Sequence, residues 1–251
     1  MSVRHPYLQG ADFICFAHRG GALENPENSR RAFAAAVGLG YRYIETDVQA
    51  TADGAVVVFH DDALDRVTDT SGVIAELPFA EVRAARIDGT EPIMTLEEAL
   101  ESFPDTRFNI EVKIEAALVP TLEIVQRMAC LDRICLASSS SARVARMRRM
   151  AGPGLCTNAP PREAAMLVFA GWGLPTPPPR AQCAQVPVVQ WGVRVVTPRF
   201  IRSCNRRGVQ VHVWTIDDEA EMRRLIRMGV NGLMTNRPRL LRKVAIEEGV
   251  W

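Results

Sequence analysis

The chain has no surplus of charge of either sign: 30 Lys plus Arg face 29 Asp plus Glu, a formal net of +1. A protein that coats nucleic acid carries a basic excess, so nucleic acid is not an expected partner. A membrane span takes about 20 apolar residues, and no such run exists. The nearest candidate, residues 164–174, contains two glycines. It reaches about half the needed length, so stable membrane insertion is not expected. The opening MSVRHPYLQGADFICFAHRGG lacks the basic end, apolar run and small-residue cleavage site of a secretory leader. The cysteines Cys15, Cys130, Cys135, Cys156, Cys183 and Cys204 form no C-x-x-C pair. They are too sparse for a disulfide scaffold and read as small core residues. Together these absences point to the cytoplasm. There is no internal repeat. The one odd stretch, GWGLPTPPP at 171–179, reads as a stiff surface loop.

What is present is ordinary globular composition, 47% hydrophobic and 24% charged over 251 residues. β-rich runs alternate with helical stretches along the whole chain. Strands are expected at Phe13–Ala17, Tyr43–Val48, Val56–Phe59, Phe108–Val112, Ile134–Ser138, Gly154–Thr157, Val186–Val189, Val209–Trp214 and Gly232–Thr235. Helices are expected at Asn28–Leu39, Thr95–Phe103, Leu118–Ala129, Ser141–Met150, Pro198–Arg207 and Asp218–Met228. Thr95 stands three residues before Glu98, a capping-box spacing. Thr197-Pro198 supplies a cap and a first-turn proline. Alternation of this kind means parallel βα units. Nine strands are one too many for an eight-stranded barrel. The turn Thr51-Ala52-Asp53-Gly54 is too short for a parallel crossover, so it makes the surplus strand a β-hairpin arm. The expected fold is α/β, a TIM-type (β/α)8 barrel with a β-hairpin near the second strand, residues 1–251 forming one domain.

Chemistry gathers at strand ends, where such barrels place function. His18-Arg19-Gly20-Gly21 closes the first strand. Arg19 offers a planar charged fork to a phosphate, and the two glycines allow backbone amides close to an anion. Glu45 and Asp47 lie two apart on the second strand and so share a face. Paired interior carboxylates repel unless a cation sits between them, and their hard oxygens suit Mg2+ or Ca2+. If Thr51 pairs with Gly54, Glu45 comes opposite His60, which would put that histidine beside the carboxylates. Glu111 and Lys113 repeat the two-residue spacing on a later strand. They fit either a simple ion pair or a metal ligand beside a phosphate contact. Trp214 ends a strand and is core or pocket wall. His212 shares its face and reads as interior packing.

The runs AHRGG, PENS, YIETDVQATADGAVVVFHDDALDRVTDTSG, NIEVK, VHVWTI and GVNGLMTNRP resemble the glycerophosphodiester phosphodiesterases, from Phe16 to Pro238. The resemblance implies a barrel that hydrolyses glycerol phosphodiesters, small-molecule substrates, to glycerol 3-phosphate and an alcohol. It assigns His18 and His60 to acid/base catalysis, and Glu45, Asp47 and Glu111 to a divalent cation. It gives Arg19 and Lys113 to phosphate, and Trp214 to the substrate cleft. The family's frequent T-D-R-P is here Thr235-Asn236-Arg237-Pro238, a departure expected to touch the pocket's shape and not the reaction.

Three rivals share the architecture. A lysophospholipase D could use residues 164–174 as an apolar rim, against the plainer reading of a helix packed on the barrel. An amidohydrolase would want H-x-H on the first strand, where this chain has His18-Arg19-Gly20. A barrel that only binds glycerophosphodiesters is opposed by the full set of catalytic and metal positions. Oligomeric state leaves no trace in the sequence.

Overall fold

The computed structural model describes residues 5–10 and 12–251. Part of the opening run read above for a leader, residues 1–4 and 11, lies outside the described residues. Along the described chain the barrel staves are β1 (Ile14–His18), β2 (Tyr43–Ala50), β4 (Arg107–Val112), β5 (Ile134–Ala137), β6 (Cys156–Thr157), β7 (Cys183–Val186), β8 (Gln210–Val213) and β9 (Gly232–Thr235). They pair in parallel in the spatial order β6-β5-β4-β2-β1-β9-β8-β7. A single bridge, Asn158 to Cys183, joins the two ends and closes the ring. First and last staves are therefore neighbours, with Ile14 opposite Gly232.

The expected hairpin exists. β3 (Val56–Val58) runs antiparallel to β2. Its register is one residue off the expectation, since Val48 faces Val58 and Asp47 comes level with Phe59. The closing pair is Thr51 with Ala55, not Thr51 with Gly54: the Thr51 amide donates to the Ala55 carbonyl, and the Ala55 amide to Thr51 Oγ1. One extra loop residue shifts the whole ladder, and a one-residue shift exchanges the faces. Glu45 and His60 are therefore not a strand pair.

Helices pack outside the staves. α1 (Arg30–Gly38) starts where Ser29 accepts from the Ala32 amide. α3 (Leu96–Ser102, after the short α2, Phe79–Ala84) carries the full Thr95–Glu98 capping box. α4 (Leu118–Arg127) and α5 (Ser141–Ala151) follow, α5 capped by Ser140. α6 is Pro161–Gly171, α7 (Pro198–Arg206) is capped by Thr197, and α8 (Glu219–Met228) ends on left-handed Gly229. α9 (Pro238–Glu247) had no counterpart in the sequence reading. The segment 164–174, mostly in α6, buries Leu167 and Ala170 against the barrel and leaves Phe169, Trp172 and Leu174 exposed.

Alternation sorts the staves. Ile44, Val48, Phe108, Ile110 and Val112 turn outward into a core shared with α1, α3 and α4. Their alternating partners turn inward. The floor of the ring is plugged by Tyr7, Phe16, Tyr43 and Met234 together with three cysteines. Two differences from the sequence reading have physical causes. The seventh stave is Cys183–Val186, earlier than Val186–Val189, because the valine-rich run after it forms a small hairpin, Val189–Gln190 with Val193–Arg194, carrying exposed Trp191 at its tip. The segment between β3 and α3 builds its own core of Val57, Phe59, Leu64, Ile74, Val82, Ile87 and Ile93. That side core holds the backbone after Phe59 in place over the barrel mouth.

Candidate active site

The first stave delivers His18 to the mouth, and the chain then turns sharply. Arg19 has φ 52°, an uncommon left-handed conformation for a residue with a side chain. The amides of Gly20 and Gly21 are spent inside this turn, on the carbonyls of Ala17 and His18. The glycines therefore serve close packing, not anion binding. A Cβ on Gly20 would meet Ala32 at 2.7 Å, and one on Gly21 would meet Pro238 at 2.7 Å. The turn is wedged between α1 and α9, which fixes where His18 and Arg19 point.

His18 Nδ1 lies 2.7 Å from Asn236 Oδ1. Asn236 is oriented by Asp217, whose carboxylate accepts from the Asn236 side-chain amide at 2.8 Å and from its backbone amide at 2.7 Å. Thr235 Oγ1 donates to the same carboxylate. A carboxylate can only accept, so the amide NH2 faces Asp217 and the oxygen faces His18. His18 must then carry its proton on Nδ1, which leaves Nε2 as a bare lone pair. That Nε2 stands 3.6 Å from Glu45. Burial holds the His18 imidazole below its usual range, Arg19 adds to this, and the bond to Asn236 works against it. The last residue of the family's closing motif to differ, Asn236, thus touches the first histidine directly.

Glu45 and Asp47 stand together on β2 as their spacing requires, and Glu111 follows on the neighbouring β4. Glu45 and Asp47 are almost fully buried. Burial, then the like charge of Asp47, pushes the Glu45 carboxyl well above the ordinary range. Lys113 Nζ spans Asp47 at 2.9 Å and Glu111 at 2.8 Å. Burial lowers the pKa of Lys113, but these two carboxylates raise it further, so the net direction is up. Arg19 Nε faces Asp47 at 3.4 Å, while its Nη1 holds Glu27 at 2.9 Å. The buried Asn28 side chain donates to Asp47 and accepts from Thr46.

His60 sits at the mouth, its Nδ1 2.6 Å from Asp61. Arg66 clasps Asp61 and Glu27 together. A continuous chain of charges therefore runs from His60 through Asp61, Arg66, Glu27, Arg19 and Asp47 to Lys113. Burial raises the Asp61 and Glu27 carboxyls, but the Arg66 bonds outweigh it and hold both below their usual values. Trp214, 41% exposed, stands at the end of β8 on the same rim.

All eight sequence-derived site residues sit at the C-terminal ends of staves or on the segments that leave them. The sequence reading passed over Glu27, Asn28, Asp61, Arg66, Asp217 and Asn236 as site residues. Asn28 and Glu27 were visible only as part of PENS, Asp61 and Arg66 as charges after His60, and Asp217 within WTIDD. A cavity of about 610 Å3 opens elsewhere, between Pro6, Tyr41, Asp105 and Arg133 at the floor, and contains none of these groups.

The carboxylates fit a hard divalent cation by donor type. Three acidic groups face the mouth from two adjacent staves, and burial together with the like charge of Asp47 pushes the Glu45 carboxyl up. A cation there would compete with Lys113 for Asp47 and Glu111.

Residues 18–240 match the glycerophosphoryl diester phosphodiesterase family. The chain is 36% identical to the probable glycerophosphodiester phosphodiesterase 2 of Mycobacterium tuberculosis, over 98% of this chain and 95% of that protein. In structure it resembles a putative glycerophosphoryl diester phosphodiesterase from Silicibacter pomeroyi, at TM-score 0.82 and 22% identity, covering 98% and 97% of the two chains. It also resembles an Oleispira antarctica phosphodiesterase in complex with the product sn-glycerol-3-phosphate, at TM-score 0.79 and 21% identity, covering 93% and 96%.

Proposed function

As the chain belongs to the glycerophosphoryl diester phosphodiesterase family, we propose that it hydrolyses glycerophosphodiesters to glycerol 3-phosphate and the free alcohol, with His18 as general base and His60 as general acid. The observation that carries the division of labour is the Asp217–Asn236–His18 chain of hydrogen bonds. It leaves His18 Nε2 unprotonated, and burial holds the imidazole below its usual range, the state a base needs before reaction. His60 has the opposite partner, a carboxylate: Asp61 accepts from its Nδ1 and orients the ring to give a proton to the leaving alkoxide.

Arg19 and Lys113 neutralise the phosphodiester and the charge that grows on it in the transition state. Glu45, Asp47 and Glu111 would hold Mg2+ or Ca2+, which supplies further electrostatic stabilisation of the phosphoryl oxygens. Arg19 reaches substrate from a strained turn, and Glu27 and Asn28 keep it and Asp47 aligned. Trp214, half-exposed on the rim, lines the substrate cleft.

The test is release of glycerol 3-phosphate from glycerophosphocholine with Mg2+, Ca2+ or EDTA. Release abolished by EDTA is expected. Release that EDTA leaves intact would remove the cation from the mechanism. No release with any cation, from this substrate or from lysophosphatidylcholine, would leave a barrel that binds without catalysis.

A further inference from the structure

The barrel floor holds a second cluster of reactive side chains, remote from the carboxylates at the mouth. Cys135, Cys156 and Cys183 come from three consecutive staves, β5, β6 and β7, with Cys135 opposite Cys156 in register. All three are fully buried. Their sulfur atoms all lie within 4.8 Å of one another, and Cys135 and Cys183 are 3.8 Å apart. A tetrahedral ion with metal–sulfur bonds of about 2.3 Å has sulfur–sulfur edges of about 3.8 Å. Among the described residues this is the one set of three His, Cys, Asp or Glu donors that converges so closely.

Two further buried groups point to an occupant. His212, on the neighbouring stave β8, is fully buried, and Gln210 on its own face of that stave is level with Cys183. The His212 Nε2 lies 3.0 Å from the Gln210 side-chain oxygen, and its Nδ1 has no hydrogen-bond partner. One ring nitrogen fixed by an amide oxygen with the other left open is the arrangement of a metal-binding histidine. The Tyr7 hydroxyl, which faces the same three thiols, is likewise buried without a partner. If the cysteines were only small apolar filler, both polar atoms would be stranded in the core.

We propose that Cys135, Cys156, Cys183 and His212 form a structural site for a zinc-class ion in the barrel floor. The three sulfurs and one imidazole are the donor set of closed, non-catalytic zinc sites. The thiols lose their protons to solvent as the ion binds, so affinity rises with pH. The location has a mechanical purpose. β6 is only two residues long, and one bridge joins it to β7, so the ring is thinnest where the sulfurs sit. An ion there would clamp three staves across that seam.

The whole chain, refolded under reducing conditions with Co2+ as a zinc surrogate, tests this. One Co2+ per chain should give an intense thiolate-to-metal charge-transfer band, displaced by Zn2+ and untouched by excess Mg2+ or Ca2+. Oxygen ligands at the mouth cannot give that band, so glycerophosphodiesterase activity can fail while this site stands, and the reverse. Cys183→Ala should abolish the band while circular dichroism reports the fold. The unmutated chain loaded with 113Cd keeps the test independent of that variant's folding, since its chemical shift counts bound sulfurs and should report three. Absence of a sulfur-dependent band in the refolded wild-type chain, or a band that survives Cys183→Ala, would overturn the proposal.

Discussion

The two ends of the same eight staves are made of different matter. At the mouth, His18, Glu45, Asp47, Glu111 and Lys113 crowd charge into partly buried space, and Arg19 is held in a strained turn. At the floor, Tyr7, Phe16, Tyr43, Met234 and three thiols fill the ring with scarcely a charge. The first two staves carry both, two or four residues apart along one face: Phe16 below His18, Tyr43 below Glu45 and Asp47. The mouth is stable only because the floor is well packed. A site dense in like charge works against folding, and the apolar layers beneath it supply what it lacks.

The sharpest way to break this contrast is to remove a histidine at the mouth. His18→Ala and His60→Ala should each lower kcat by about 10²–10⁴-fold, with the thermal midpoint almost unchanged. Steady-state kinetics beside a melting curve reads both. A large fall in midpoint would mean that the mouth also bears structure. The complementary cut is Phe16→Ala at the floor. It should cost about 3–5 kcal/mol of stability, read by denaturant unfolding, while the folded fraction keeps its kcat. A smaller effect is expected from Asn236→Asp. A carboxylate beside His18 Nδ1 stabilises the imidazolium, so His18 becomes a free base only at higher pH. The acid limb of the kcat/KM profile should move to higher pH. An unmoved acid limb would take the base role away from His18. Smallest of all, Ser29→Ala removes the α1 cap and the bond to the Pro26 carbonyl. About 1 kcal/mol of stability should go, with a modest rise in KM as Glu27 and Asn28 loosen.

The contrast between the ends was partly legible in the sequence. Two-residue spacing put Glu45 with Asp47, and Glu111 with Lys113, on common faces, because a strand's period is two whatever surrounds it. Seven of the nine expected strands coincide closely with observed ones, since alternation of strand and helix spans the chain. The hairpin register was not legible. Whether Thr51 closes on Gly54 or Ala55 depends on a side-chain hydrogen bond from its own hydroxyl, which no pattern of apolar residues records. The helpers of the site were hidden for another reason. Asn236 is 218 residues from His18, and Arg66 is 39 from Glu27. Such pairings come from ring closure and from the side core around Phe59, and local spacing does not encode them. The cysteines were read correctly as interior, but their meeting on three staves needed the barrel's shear to be known.

His18 ends the first stave of the barrel, and the asparagine that faces its Nδ1 follows the last. Because β1 lies against β9, the imidazole acquires its working proton arrangement only when the final stave docks. A chain that stopped short of Thr235 would carry both mouth histidines, the carboxylates and the arginine, and would still leave the His18 Nδ1 without its asparagine.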